Sequence, residues 1–301
     1  RDALNLGGDA PGLRLIVIAA TGTNNVDLAA ARARLTASPT ARLDAELLLA
    51  ATLERARTWL HAWPEAELDP GVAERYDQRI ARRAAGEPIA YLLGEREFWS
   101  LAFMVSPDVL IPRPETEGLV RAALDHLRAS AVTEPRVLDL GTGSGCIAVA
   151  LAHERPDARV TAVEAAGPAL DLARANAARH GVVNIEFQAG SWFGPLGPRR
   201  FDVIVSNPPY VRTGDPHLAA GDVRFEPVGA LDGGADGLDA LREIAAGAPH
   251  HLAPGGLVVV EHGMDQGEAV AALFAGEGLT AVETHLDEAG LPRFTSGKAS
   301  R

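Results

Sequence analysis

Residues 137–152 read VLDLGTGSGCIAVALA, a short strand-like run that is followed by three spaced glycines and then by apolar helical text. Gly141, Gly143 and Gly145 permit a tight turn and let a ligand approach the backbone closely before a helix begins near Cys146. A Walker phosphate loop is disfavoured, because no Lys-Ser or Lys-Thr follows the glycines. A dinucleotide fold stays open, although Cys146 stands where its third glycine would be.

Short apolar runs alternate with amphipathic segments from Arg136 onward. The runs RVLDL, RVTAVE, NIEFQAG, FDVIVSN and GLVVVEH are typical of strands, and helical text such as GPALDLARANAARHG lies between most of them. This alternation predicts an α/β fold with a mostly parallel sheet that is covered on both faces. Ligands of such sheets bind beyond the carboxyl ends of the strands, which is where we expect the chemistry.

Two of these strand ends carry polar residues. The second strand ends at Glu164, and a carboxylate there can accept hydrogen bonds from both hydroxyls of a ribose. The alternative to this ribose-binding role is that Glu164 is a solvated acid beside a tight turn. The run FDVIVS passes directly into Asn-Pro-Pro-Tyr, residues 207–210, which places a carboxamide where a strand stops.

The composition indicates a globular protein with neither an internal disulfide nor a zinc site built from several cysteines. The chain has 301 residues, 47% hydrophobic content and a single cysteine, Cys146. No apolar run reaches the roughly 18 residues that span a bilayer. The formal charge of −12 repels a phosphate backbone. We therefore expect a cytoplasmic protein without a metal and without a membrane or nucleic-acid partner.

The pattern along the chain predicts four segments. Residues 1–25 show no clear periodicity and form an extension to which we assign no function. Residues 26–88 have helical spacing and predict a small helical domain. Residues 89–114 are rich in aromatic and β-branched residues and predict a hairpin-like linker, and residues 115–301 carry the predicted α/β domain.

Besides VLDLGTGSG and VTAVE, the chain carries IPRPETE, SNPPYV, GDVRFEP and APGGLVVVEHG. Together these stretches resemble the HemK/PrmC family, the protein-(glutamine-N5) methyltransferases of peptide chain release factors, which are class I S-adenosylmethionine-dependent enzymes. The resemblance runs from about Asp27 to Lys298. It implies a Rossmann-like methyltransferase domain, S-adenosyl-L-methionine as methyl donor, and a small N-terminal helical domain that helps to bind the release factor.

The resemblance also implies a set of cofactor-binding residues. The loop beside the methionine part of the cofactor comprises Gly141, Thr142, Gly143, Ser144 and Gly145. The ribose-binding acid falls on Glu164, where relatives commonly carry Asp, and Trp192 matches a tryptophan near the adenine. Core packing is the alternative role for Trp192. Ser191 stands where many relatives have Asp.

Asn207, Pro208, Pro209 and Tyr210 are predicted to bind the acceptor amide. A glutamine amide nitrogen is a poor nucleophile, because its lone pair is delocalised into the carbonyl. Oδ1 of Asn207 and the carbonyl of Pro208 can each accept a hydrogen bond from this nitrogen. The two prolines stiffen the loop, and the Tyr210 ring can pack against the flat amide. We predict Asn207, Pro208 and Tyr210 as catalytic residues, with Asn207 also in contact with the cofactor.

Other polar residues receive structural interpretations. Glu261 and His262 end a strand and could suggest an acid/base pair, but methyl transfer from a sulfonium requires none, so we favour a structural role. The stretch RFEP, residues 224–227, follows the tetrapeptide and is expected to brace that loop. Cys146 is expected to pack at the start of a helix.

Three alternatives to release-factor methylation stay open. Ribosomal-protein glutamine methyltransferases also combine a glycine loop with Asn-Pro-Pro-Tyr, although IPRPETE favours the release-factor group. A DNA adenine amino-methyltransferase could hold an exocyclic amine with the same tetrapeptide, but the acidic balance speaks against it, as does the lack of a recognisable target-recognition region. A non-catalytic binding module would be expected to lose the tetrapeptide or the glycines, and this chain retains both.

Overall fold

The computed structural model describes residues 16–17, 26–63, 71–130 and 132–300 and divides the chain into two compact units. The first unit ends at Leu93 and the second begins at Gly94. Most of the predicted extension 1–25 lies outside the described residues. Its described part is strand β1 (Ile16–Val17), which pairs antiparallel with β2 (Val26–Asp27). No helix in the described ranges is long and apolar enough to cross a membrane.

The first unit is helical. Its helices are α1 (Leu28–Arg34), α2 (Ala41–Leu53), α3 (Arg57–Ala62), α4 (Val72–Ala84) and α5 (Ile89–Leu93). They enclose a core of their own, in which the guanidinium of Arg83 donates to the buried carboxylate of Asp44 over 2.7 Å. The small helical domain that the sequence predicts is therefore present. Helix α5 lies within the segment that was expected to be a linker.

The second unit begins with a hairpin of β3 (Glu95–Phe98) and β4 (Leu101–Met104). Its turn residues, Trp99 and Ser100, both have positive φ angles, 53° and 58°. The side chain of Asn176 bonds to both the N–H and the carbonyl of Met104, at 2.7 and 3.0 Å. The same Asn176 donates to the carbonyl of Ser144 at 2.8 Å, so one buried amide links the hairpin to the glycine turn.

A seven-stranded sheet forms the middle layer of the second unit. Its strands are β5 (Arg136–Leu140), β6 (Arg159–Glu164), β7 (Ile185–Ala189), β8 (Phe201–Ser206), β9 (Leu252–Glu261), β10 (Thr280–Leu286) and β11 (Pro292–Lys298). Their order is β10-β11-β9-β8-β5-β6-β7, in which β5 to β9 are parallel and β11 is antiparallel to both neighbours.

Helices cover both faces of this sheet. They are α6 (Glu117–Ser130), α7 (Cys146–Glu154), α8 (Gly167–Arg179), α9 (Asp239–His251) and α10 (Gly267–Gly276). Side chains alternate along a strand, so Val137 faces the core with α6 and α7 while Leu138 faces the core with α9 and α10. The α/β fold with a mostly parallel sheet, predicted from the alternating pattern, is confirmed, and so is the Rossmann-like domain that the resemblance implies.

The strand order reverses between β5 and β8. The connections from β5 lead to β6 and β7 on one side, whereas those from β8 lead to β9 on the other. Leu140 and Ser206 are register partners at the two strand ends, and the Ser206 hydroxyl donates to the Leu140 carbonyl at 2.7 Å. A reversal of this kind opens a crevice beyond the strand ends. It brings the glycine turn after β5 beside the tetrapeptide after β8.

Candidate active site

A cavity of about 320 Å³ lies at this crevice, within the range of roughly 300–1,000 Å³ typical of small-molecule sites. The predicted site residues that line it are Gly141, Thr142, Gly143, Ser144, Glu164, Trp192, Asn207 and Pro209. Segments 108–113 and 227–230 contribute further wall residues. The lining does not include Gly145, Pro208 or Tyr210.

The three glycines of the turn have different surroundings. All have positive φ, 69° at Gly141, 54° at Gly143 and 82° at Gly145, which a residue with a side chain rarely adopts. A Cβ on Gly143 would meet no described atom within 4 Å, because this residue faces the open cavity. A Cβ on Gly145 would lie 3.1 Å from the Cβ of Ala173. Gly145 therefore allows helix α7 to start close to helix α8, behind the cavity wall.

Asp139, the last but one residue of β5, fixes the turn from inside. Its Oδ2 accepts from the hydroxyl of Thr142 at 2.6 Å and from the N–H of Ala148 at 3.2 Å. Its Oδ1 is buried with no hydrogen-bond partner in the described part of the chain. Burial raises the pKa of Asp139 to about 7, against the lowering effect of these two donors.

Glu164 is held at the cavity wall by backbone donors. Its Oε2 accepts from the N–H of Gly143 at 2.9 Å, and its Oε1 accepts from the N–H of Ala166 at 2.9 Å. The glutamate is therefore long enough to reach back to the glycine turn. Each oxygen keeps a further lone pair for a ligand hydroxyl.

Trp192 both lines the cavity and packs against the core. Its ring lines the cavity, and a Cβ on Gly141 would lie 3.6 Å from it. The same side chain packs against the core below α9 and α10. Its backbone has a positive φ of 45°, so the ring position depends on an unfavourable turn conformation. Ser191 is exposed and also lines the cavity.

The tetrapeptide after β8 is anchored at both ends. Asn207 donates from Nδ2 to the hydroxyl of Thr116 at 3.2 Å, and Pro208 is buried. The hydroxyl of Tyr210 donates to Oε1 of Glu261 at 3.0 Å, and the carbonyl of Tyr210 accepts from Nε2 of Gln266 at 3.0 Å. Tyr210 is thus directed to the protein interior.

Two further glycines pack directly against the tetrapeptide backbone. A Cβ on Gly233 would lie 2.7 Å from the carbonyl oxygen of Pro209, and a Cβ on Gly237 would collide with the carbonyl oxygen of Tyr210. Gly237 also has a positive φ of 76°. The loop between the tetrapeptide and α9 therefore supports it through backbone approach.

Glu261 lies at the end of β9 and is fully buried. Its Oε2 accepts from the hydroxyl of Thr116 at 2.6 Å, in addition to the bond from Tyr210 to Oε1. Burial raises the pKa of Glu261 to about 7 and that of Tyr210 well above its usual range. His262 bonds to Gly263 and Thr295 instead, and burial lowers its pKa.

Glu226, in the stretch RFEP, ties two cavity walls together. Its side chain accepts from the N–H of Ile111 at 3.1 Å and forms an ion pair with Arg113. The stretch was expected to brace the tetrapeptide loop. Its buried acid fixes segment 111–113, of which Pro112 and Arg113 line the cavity. The brace for the tetrapeptide loop stays a prediction.

Sequence reasoning did not assign roles to Thr116, Gln266 or Arg113. Thr116 and Arg113 lie in IPRPETE, which supported the family resemblance but gave no role for its individual side chains. Gln266 lies in a turn without a recognisable sequence pattern. Among the described residues, no group of three or more His, Cys, Asp or Glu side chains could hold a metal ion. Cys146 is buried, and burial raises the pKa of its thiol to about 12.

A Rossmann-like sheet with a glycine turn after β5, an acid after β6 and Asn-Pro-Pro-Tyr after β8 defines a class I methyltransferase. Residues 28–94 match the family model of the PrmC N-terminal domain, and residues 120–223 match that of the methyltransferase small domain. The chain belongs to the family of release factor glutamine methyltransferases, as its relatives show.

Two of these relatives align with most of the chain. The release factor glutamine methyltransferase of Xylella fastidiosa (strain Temecula1) is 50% identical over 257 residues, which are 85% of this chain and 93% of that protein. The one of Pseudomonas aeruginosa is 50% identical over 261 residues, 87% of this chain and 94% of that protein.

A solved structure agrees in fold. The methyltransferase of Pyrococcus furiosus has a TM-score of 0.50 and 19% identity, over 75% of this chain and 100% of that chain. At this identity, the likeness concerns the fold alone.

Proposed function

We propose that this protein transfers a methyl group from S-adenosyl-L-methionine to the side-chain amide nitrogen of the glutamine in the Gly-Gly-Gln motif of peptide chain release factors, a modification that serves translation termination. The observation that carries this proposal is the position of the Asn207 carboxamide on the wall of the cavity that the glycine turn and Glu164 also line. The names of the relatives support the substrate.

S-adenosyl-L-methionine fits the side chains of this cavity. Glu164 offers a preoriented carboxylate to the two ribose hydroxyls, and Trp192 offers an aromatic face to the adenine. Gly141 and Gly143 leave the backbone accessible to the methionine part. When bound, this cofactor supplies a methyl group activated by a sulfonium.

The tetrapeptide holds and aims the acceptor in this proposal. Oδ1 of Asn207 and the carbonyl of Pro208 each accept one N–H of the glutamine amide, so that the nitrogen lone pair points toward the methyl group. Positioning of this kind can lower a barrier by up to roughly 7–11 kcal/mol without a strong base. Tyr210 contributes through its anchorage to Glu261, which fixes the end of the loop.

The helical unit is proposed to contribute to release-factor binding, because residues 28–94 match the PrmC N-terminal domain. The functional division into a substrate-binding domain at 26–88, a linker at 89–114 and a catalytic domain at 115–301 stays a prediction. The cytoplasmic location and the lack of a nucleic-acid partner stay predictions as well. The relatives do not favour a ribosomal-protein or DNA adenine methyltransferase.

The proposal is tested by transfer of labelled methyl groups to purified release factor, ribosomal protein and duplex DNA in parallel. We expect label on the release factor, and mass spectrometry should locate it on the glutamine of Gly-Gly-Gln. A release factor with alanine in place of that glutamine is the matched control and should stay unlabelled. Label on DNA or ribosomal protein alone would overturn the proposal.

A further inference from the structure

Three hydrogen bonds connect the buried carboxylate of Glu261 to both ends of the tetrapeptide. The hydroxyl of Thr116 lies 2.6 Å from Oε2 of Glu261 and 3.2 Å from Nδ2 of Asn207. The hydroxyl of Tyr210 lies 3.0 Å from Oε1 of Glu261. Glu261 is 0% exposed and Thr116 is 2% exposed, so bulk water does not replace these bonds.

The chemistry of the groups fixes the direction of each bond. When Glu261 is ionised, its carboxylate only accepts hydrogen bonds, so the hydroxyl protons of Thr116 and Tyr210 both point at it. The single proton of the Thr116 hydroxyl is then committed, and the oxygen can only accept from Asn207. Thr116 therefore selects the NH₂ end of the Asn207 carboxamide as its neighbour.

This selection matters because the two ends of a carboxamide have nearly the same shape. Packing alone does not distinguish Oδ1 from Nδ2, whereas the hydrogen-bond network does. With Nδ2 turned to Thr116, Oδ1 lies at the other end of the planar group. A reversed Asn207 would present an NH₂ group to the NH₂ group of the acceptor, and two donors do not bind each other.

We propose that Glu261, acting through Thr116, is a positioning residue that orients the Asn207 carboxamide so that Oδ1 is presented to the acceptor amide. The inference rests on the proposed function, since it concerns the atom of Asn207 that meets the glutamine. It assigns no proton transfer to Glu261. It gives a role to an acid at a fully buried position, where ionisation carries a desolvation cost.

The test compares substitutions of Thr116 that differ only in the hydroxyl. Thr116→Val keeps the shape and removes the proton donor, whereas Thr116→Ser keeps the hydroxyl. Since a hydrogen bond to a charged group is lost, we expect kcat to fall on the order of 10- to 100-fold in Thr116→Val. KM for the release factor and the calorimetric Kd for S-adenosyl-L-methionine should stay close to wild type, and Thr116→Ser should restore most of kcat.

Glu261→Gln supplies a second variant that keeps the buried shape. Its carboxamide can donate to Thr116, which frees the threonine proton for Oδ1 of Asn207, so kcat should again fall while KM stays. Thr295→Val is the matched control, because Thr295 is also fully buried but bonds to His262 and Thr284, not to the tetrapeptide. Its kcat should be unchanged. Thermal unfolding of each variant verifies that it folds.

A readout independent of turnover follows the side-chain amide protons of Asn207 by NMR in protein labelled with ¹⁵N-asparagine. We expect one protected Nδ2 proton in the wild type and in Thr116→Ser, and faster exchange in Thr116→Val. Wild-type kcat in folded Thr116→Val, or a Thr116→Ser variant as impaired as Thr116→Val, would overturn the inference. A wild-type enzyme that leaves release factor unmethylated would instead overturn the proposed function, and the NMR comparison would still decide the orientation.

Discussion

The side-chain nitrogen of Asn207 lies 3.2 Å from the hydroxyl oxygen of Thr116, across 91 residues of sequence. Thr116 belongs to the turn before α6, and Asn207 follows β8, so the proposed acceptor-binding atoms depend on a segment far from the tetrapeptide. The stretch IPRPETE is thereby part of the site. It also contributes Arg113 to the cavity wall.

Asn207→Ala should nearly abolish methyl transfer and change cofactor affinity only modestly. The expected loss in kcat is on the order of 10²–10³, as for removal of one preorganised hydrogen-bonding group at a reacting centre. Labelled-methyl transfer measures the rate, and calorimetry with S-adenosyl-L-methionine measures the affinity. Turnover near the wild-type rate would remove Asn207 from the proposed catalytic set.

Gly143→Val should weaken cofactor binding by at least about tenfold, because a side chain there would enter the cavity and occupy the backbone approach. Gly181→Val is a matched control. Gly181 also has a positive φ, 65° against 54°, and a Cβ there would likewise meet no described atom within 4 Å. Both variants should lose roughly 1–2 kcal/mol of stability. Equal cofactor affinity in the two variants would contradict the assignment of the glycine turn.

The pH dependence of stability should reveal the buried Glu261. Burial raises the pKa of Glu261 from 4.5 to about 7. The hydrogen bonds from Thr116 and Tyr210 lower this pKa, as does the charge of Arg293, whereas the charge of Glu115 raises it. The folded protein therefore binds this proton more tightly than the unfolded chain does. The contribution of Glu261 to the free energy of unfolding thus decreases as pH rises from about 4.5 to about 7, and is constant above.

Glu261→Gln removes this titration. Urea denaturation at pH 5 and at pH 8 gives, for each protein, the change in the free energy of unfolding between the two values. We expect this change to be more favourable in the variant than in the wild type. The other titrating groups are common to both proteins, so their contributions cancel in the comparison. An identical pH dependence in the two proteins would show that Glu261 titrates in its ordinary range.

Removing Arg113 and removing Glu226 from their ion pair should lower the stability of the protein by different amounts. The Glu226 side chain is 0% exposed, whereas that of Arg113 is 29% exposed and can reach water when unpaired. Arg113→Met should therefore cost more stability than Glu226→Gln, by about 1–3 kcal/mol, because it leaves an acid buried without its cation. Urea unfolding of both variants and of the double variant measures the difference. The reverse order would be incompatible with this burial.

Strand patterns were sufficient to predict β5 to β9, because four of these strands have a compact apolar run and β7, IEFQA, alternates apolar and polar residues. Strands β10 and β11 lack one. In β11, Thr295 and Ser296 are buried and bond to His262, Thr284 and His285, so polar side chains are satisfied by partners that become neighbours only in the folded sheet. Helix α5, with five residues, is too short for a periodic signal.

The candidate site was predicted where its residues follow strand ends directly. Glu164 ends β6, and the glycine turn and Asn207 follow β5 and β8. Glu164, Asn207 and the turn residues 141–144 line one cavity. Sequence could not pair Thr116 with Glu261, because the bond spans 145 residues and depends on the register of α6 against β9. For the same reason, it could not show that the Tyr210 hydroxyl is bound to a carboxylate.

Gly233 and Gly237 will be the hardest positions to interpret in a saturation mutagenesis survey. Every replacement at either site forces a Cβ into the backbone of Pro209 or Tyr210, so both positions will score as essential. Neither carries a group that could meet a substrate. A low score in this loop therefore reports the space that the tetrapeptide backbone occupies. Measuring both the methyl-transfer rate and the thermal unfolding of each variant would separate this packing effect from a direct role in the reaction.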